Sequence, residues 1–200
     1  MSTIIGSDGK HRCQWSATAP EFDSYHDAEW GFPVSDDRRL FEKLCLESFQ
    51  SGLSWRTILT KRENFRAAFA NFDFNKMADF TQADVERLLQ DKGIVRHRGK
   101  IEAVINNAAR AQEIVEQEGS LAAFIWGFEP DASQLGEPQT ASTSAESIAL
   151  SKELKKRGWK FVGPTTVYAF MQAMGLINDH VHGCVMRAEA EQARKNFKRP

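Results

Sequence analysis

Cysteine is scarce in this 200-residue chain, where Cys13, Cys45 and Cys184 are the whole supply. An odd, widely spaced set offers no disulfide framework, which points to a reducing, cytoplasmic setting. Long apolar runs are missing too, so no segment suits a bilayer crossing and no membrane partner is expected. The opening stretch MSTIIGSDGKHRC lacks a charged start followed by an apolar core, so no secretory signal is expected. Excess charge of either sign is also absent: 26 Lys and Arg face 27 Asp and Glu, for a formal net charge of −1. That balance excludes a uniformly basic nucleic-acid coat. Charge is instead segregated, with LSKELKKRGWK and DKGIVRHRGK basic and Glu21 to Glu47 largely acidic. One face of a near-neutral molecule can then meet a polyanion.

What is present reads as helix. SDDRRLFEKLCLESFQSG offers Ser35 as a cap, Leu40, Phe41, Leu44 and Cys45 as one apolar stripe, and Gly52 as a stop. LSWRTILTKRENFRAAFANF repeats the pattern, and TQADVERLLQDKG opens with Thr81 and Asp84 in capping-box spacing. GKIEAVINNAARAQEIVEQEG turns Ile101, Val104, Ile105 and Ala108 inward. No segment shows convincing strand alternation. The expected class is all-α. EPDASQLGEPQTAST, polar and rich in turn residues, reads as a surface loop.

Beyond that loop, Thr143 and Glu146 repeat the capping-box spacing, and a helix runs to ELKKRG. Then come WKFVGP and TTVYAFMQAMG, with Pro164 at a helix start and Gly175 at its end. Helix, short Gly-bounded hairpin, helix is a device whose backbone N–H groups can grip a phosphate. Lys155, Lys156, Arg157 and Lys160 surround it, although a solvated lysine face fits the same residues.

Two stretches each carry a histidine and a cysteine: HRCQW…SYHDAEWG and GLINDHVHGC. His180 and Cys184 stand four apart, sharing one face if helical. Cys13 and His26 can supply the other corners of a tetrahedron. Two thiolates and two imidazoles make a closed zinc set, structural in composition rather than catalytic. A buried apolar Cys184 beside a hydrogen-bonded His180 is the alternative. Cys45 lies on the apolar stripe and reads as core.

The segments YHDAEWG, LCLESFQSGLSW, KRENF, GIVRHRGKI and TSTSAESIALSKELKKRGWKFVGPTTVYAFMQAMGLINDHVHGC occur in the order seen in one family. From about Cys13 to Cys184 the chain resembles the constitutive bacterial, type I, 3-methyladenine DNA glycosylases of the helix-hairpin-helix superfamily. That resemblance implies a helical glycosylase fold over 13–186, in two lobes, with the helix-hairpin-helix at about 144–175. A flexible N-terminus (1–12) and a C-terminal tail (187–200) are expected to flank it. It also implies a structural zinc ion that ties the two ends together through Cys13, His26, His180 and Cys184.

The activity implied is hydrolysis of the N-glycosidic bond of 3-methyladenine in alkylated double-stranded DNA, with free base released and an abasic site left behind. The target base is flipped out of the stack into a pocket. By the same resemblance Glu47 is the pocket carboxylate, Trp55 the stacking aromatic, and Tyr25 and Trp15 further walls. Phe22 stands where well-known members have tyrosine, so a hydroxyl is lost there. Gly52 and Leu53 match the turn that fills the gap left by the extruded nucleotide. Gly158, Lys160, Gly163, Thr165 and Thr166 match the phosphate-gripping hairpin. Asp179 is either a second catalytic carboxylate or a partner that orients His180. No lysine sits at a recognisable nucleophile position, so a monofunctional, monomeric enzyme is expected. A non-catalytic, zinc-stabilised DNA-binding protein is the rival, and Glu47 facing an aromatic pocket separates the two.

Overall fold

The computed structural model describes residues 2–200. A short antiparallel hairpin comes first, with β1 (Thr3–Ile5) paired to β2 (His11–Cys13) so that Thr3 lies opposite Cys13. Strands of three residues are too short to show alternation in a segment expected as a flexible N-terminus. The remainder is helical: α1 (Glu21–Ala28), α2 (Asp37–Gln50), α3 (Trp55–Thr60), α4 (Arg62–Ala68), α5 (Phe74–Met77), α6 (Gln82–Gln90), α7 (Arg98–Glu118), α8 (Leu121–Trp126), α9 (Ala145–Lys156), α10 (Pro164–Ala173) and α11 (Val185–Asn196).

Helix α2 is the axis of the fold. It packs against α7, α8 and α10, and nearly its whole second half is buried, polar residues included. Its cap is Asp36, whose carboxylate accepts the Arg39 N–H at 2.8 Å, rather than Ser35. Thr81 and Asp84 form the expected capping box, whereas the second box uses Ser144 and Ser147 instead of Thr143 and Glu146. Around α2 sits a phenylalanine cluster of Phe41, Phe49, Phe65, Phe69 and Phe72, all fully buried. Phe49 is its hub, with ring centroids 4.7 Å from Phe65 and 5.7 Å from Phe69.

The C-terminal segment, expected as a tail, forms α11. Ala190 and Arg194 of this helix are buried, and Arg194 pairs with Glu129 at 2.8 Å. Residues 180–184 are not helical. A turn closed by the Cys184 N–H on the Val181 carbonyl (3.1 Å), with Gly183 at φ +85°, leads into α11, and Cys184 is that helix's N-cap. The His180–Cys184 pairing therefore depends on a turn, not on a shared helix face.

Candidate functional site

Four of the sequence-predicted pocket residues converge. Trp15, Tyr25, Glu47 and Trp55 line one cavity of about 220 Å³, joined by Trp30, Gln50, Ala169 and Gln172. Tyr25 comes from α1, Glu47 and Gln50 from α2, Trp55 from the start of α3, and Ala169 and Gln172 from α10. Trp30 follows α1 in the AEWG turn, and its ring meets Trp15 edge-on at 5.1 Å. Phe22, expected in the pocket, does not line this cavity. Its ring meets that of Trp15 edge to face at 5.6 Å. Trp30, Gln50, Ala169 and Gln172 went unmarked in the sequence reading, although Trp30 lies within the YHDAEWG motif.

Glu47 is buried, and its Oε1 lies 2.7 Å from the ammonium of Lys43, one helical turn earlier. The Lys43 Nζ also donates to the Tyr25 hydroxyl at 2.8 Å and rests 3.3 Å above the centre of the Trp55 ring. Burial lowers the Lys43 pKa, with the Glu47 carboxylate opposing the fall. Burial also pushes the Tyr25 phenol well above its ordinary value, and the Glu47 charge adds to the rise. The Lys43–Glu47 ion pair is buried, with 7% and 5% of the two side chains exposed.

Asp179 does not line this cavity. Its Oδ1 accepts the Gln139 backbone N–H at 2.9 Å and its Oδ2 accepts the Gln172 side-chain N–H at 2.5 Å. Burial raises its pKa, while those two donors oppose the rise. It therefore touches the pocket through Gln172. Nor does it orient His180, whose Nδ1 lies 3.1 Å from the Asn178 Oδ1.

A second centre lies where the chain ends meet. The Cys13 Sγ, a His26 ring nitrogen and the Cys184 Sγ lie within 4.8 Å of one another, all three residues buried. His26 Nδ1 is 2.7 Å from Asp27, which leaves Nε2 facing Cys184 Sγ at 3.6 Å. Asp27 is held in turn by Arg12. The hydrogen bond from Cys13 draws the Cys184 thiol down to about 3, and the same contact, with burial, pushes Cys13 far up. The fourth predicted ligand, His180, lies beside this triad, its ring centroid 5.0 Å from that of His26. Its Nε2 is buried and lacks a hydrogen-bond partner among the described residues. An orphaned imidazole nitrogen next to two sulfurs and a second imidazole is the signature of a donor set that fits a soft divalent metal.

The methyladenine glycosylase family model matches residues 15–188. The chain belongs to this family. Among curated members it is 53% identical over 178 residues to DNA-3-methyladenine glycosylase 1 of Escherichia coli (strain K12), covering 86% of this chain and 95% of that protein. The DNA-3-methyladenine glycosylase of Haemophilus influenzae is 46% identical over 178 residues, covering 86% and 96%. Among solved structures, 3-methyladenine DNA glycosylase I from Staphylococcus aureus, described for its recognition of 3-methyladenine, aligns with a TM-score of 0.81 at 36% identity, covering 88% and 96%.

In this family member the segments assigned to DNA lie on two loops flanking α2 and α10. Gly52 has φ +80° and Leu53 is 40% exposed. Their loop is strapped by the buried Lys100 ammonium, which donates to the carbonyls of Phe49 (2.8 Å) and Ser51 (2.5 Å). Gly158 (φ +84°) starts the α9–α10 hairpin, and Phe161 at its tip is exposed at φ +56°. The carbonyls of Phe161 and Val162 are held by Ser48 and Ser151 at 3.0 and 2.6 Å. Gly163 caps α10 and Pro164 occupies its first position, leaving the Thr165 and Thr166 N–H groups at a helix start without intrahelical partners.

Proposed function

We propose that this chain is a monofunctional DNA glycosylase that excises 3-methyladenine from alkylated duplex DNA, with Glu47 as the pocket carboxylate. The observation that carries this reading is a buried carboxylate sharing one cavity with Trp15, Tyr25, Trp30 and Trp55 in a methyladenine glycosylase family member. Electron-rich rings suit a cationic heterocycle, and a fixed carboxylate accepts hydrogen bonds from its edge.

Methylation at N3 leaves the base cationic in the substrate. When the bond from the sugar C1′ to the base breaks, its electron pair moves onto the base, which leaves as neutral 3-methyladenine. The positive charge passes to the sugar, and water adds there with loss of a proton to complete the abasic site. The leaving group needs little acid catalysis, so the work of the chain is extrusion, selection and positioning. Leu53, exposed beside Gly52, suits the gap vacated by the base. The Thr165 and Thr166 N–H groups at the start of α10, with the Lys160 side chain, suit a phosphate of the same duplex.

The set Cys13, His26, His180 and Cys184 would hold zinc. When bound, that ion supplies a four-point cross-link between the N- and C-terminal segments, and four protein ligands leave no open position for hydrolytic water.

Base release from methylated duplex DNA, compared between the wild type and Glu47→Gln, tests the reading. Strong release that collapses in the variant is expected. DNA binding by a folded protein that releases no base would instead favour the binding-only reading.

A further inference from the structure

Lys43, the ion-pair partner of the pocket carboxylate, has no task in the reading above. It lies on α2, one turn before Glu47, with 7% of its side chain exposed. It does not line the cavity. It lines the smaller recess behind Tyr25 and Trp55, with Glu29, Arg39, Glu42, Arg62 and Arg66. Of the other charges there, Arg62 pairs with Glu29 at 2.6 Å and Arg66 with Glu42 at 2.7 Å, while Arg39 forms no ion pair among the described residues. The Lys43 ammonium reaches three groups: the Glu47 carboxylate at 2.7 Å, the Tyr25 hydroxyl at 2.8 Å and the face of Trp55 at 3.3 Å. Two of these, a carboxylate and an electron-rich ring, are the kinds of partner that a cationic base would seek. A resident cation already satisfies both before any base arrives.

Resting on the proposed glycosylase activity, we propose that Lys43 is a positioning residue that keeps the base pocket electrically neutral. It neutralises Glu47 and holds Tyr25 and Trp55 in place, so that the cationic base of the substrate is bound less tightly than the neutral base it becomes. Without the ammonium, a buried, unpaired carboxylate would stabilise the cation in the ground state. That stabilisation is lost as the bond breaks, because the base charge is discharged onto the sugar. Binding energy of this kind tightens the complex and slows the step. With Lys43 present, Glu47 is free to serve through its hydrogen-bonding geometry and not through its charge. The neighbouring ammonium also favours movement of the bonding electron pair into the base.

Single-turnover rates and half-saturating enzyme concentrations on methylated duplex DNA, for the wild type, Lys43→Met and Lys43→Arg, test the proposal. Lys43→Met is expected to lower the maximal rate about tenfold or more, with a half-saturating concentration unchanged or lower. Lys43→Arg, which keeps the charge, should return the rate to within about threefold of the wild type. A Lys43→Met protein with wild-type rate overturns the inference and leaves the glycosylase reading standing. So does a fall in rate accompanied by weaker binding and no rescue by arginine, which marks a purely structural lysine. If Lys43→Met fails to fold by circular dichroism, Lys43→Gln is judged by the same two parameters. A wild-type protein that releases no base overturns the glycosylase reading itself and the inference with it.

Discussion

The Asn107 carboxamide spends both of its hydrogen-bonding ends on one residue, donating to the Lys160 carbonyl and accepting the Lys160 N–H, each at 2.9 Å. The middle of α7 thereby grips the tip of the α9–α10 hairpin as a neighbouring strand would. Replacing Asn107 with Ala strands two backbone groups of a half-buried loop and is expected to cost about 1–3 kcal/mol of stability. Affinity for duplex DNA should fall, while binding of free 3-methyladenine stays as in the wild type. Denaturant unfolding and parallel titrations with DNA and with base check this.

Leu53 predicts the opposite balance. It is 40% exposed, so Leu53→Ala should change stability by no more than about 0.5 kcal/mol. If the side chain fills the gap of an extruded nucleotide, the loss of its burial in the complex should lower base release at limiting enzyme by about tenfold or more. Unchanged release would remove Leu53 from the DNA-facing set.

Gly31 is fixed by its surroundings. It has φ +85°, and a Cβ there would lie 2.6 Å from the buried His180 Cε1. Gly31→Ala combines left-handed strain with a clash against a ring that is already packed, and should cost about 2–4 kcal/mol. Because that ring belongs to the proposed ligand set, metal content measured by elemental analysis should fall with the unfolding temperature.

Metal removal supplies a fourth check. Treatment with a strong chelator, or Cys184→Ser, is expected to cost about 3 kcal/mol, which for a chain of this size is roughly 6–12 °C in Tm. Base release assayed well below the new midpoint should persist in the fraction that stays folded, since the cluster lies outside the cavity. Activity that disappears while the fold is intact would give the cluster a direct part in the chemistry.

How much was legible beforehand varies from residue to residue. The apolar stripe of α2 could be read because Leu40, Phe41, Leu44 and Cys45 follow helical spacing. The burial of Lys43, Glu47 and Ser48 on the same helix could not, since periodicity assigns polar residues to solvent and a helix enclosed by three others has no solvent face. Trp15, Tyr25, Glu47 and Trp55 were marked only by resemblance to a family, because as isolated aromatics and an isolated acid they match ordinary core and surface. Gln172 and Ala169 reach the cavity through the packing of α10 on α2, a contact that no local pattern encodes. At 180–184 spacing by four fits a helix face and a turn alike, so only the structure separates the two. In α11 the charged run AEAEQARKNF concealed its two anchors, Ala190 and Arg194.

The buried cluster draws on residues 13, 26 and 184. During synthesis its first two members emerge together, and the third follows only 158 residues after His26. A nascent or clipped chain without that last stretch offers two donors with nothing to close against. Closure of the cluster therefore waits on Cys184, and Cys13 and His26 stand without that partner until it arrives.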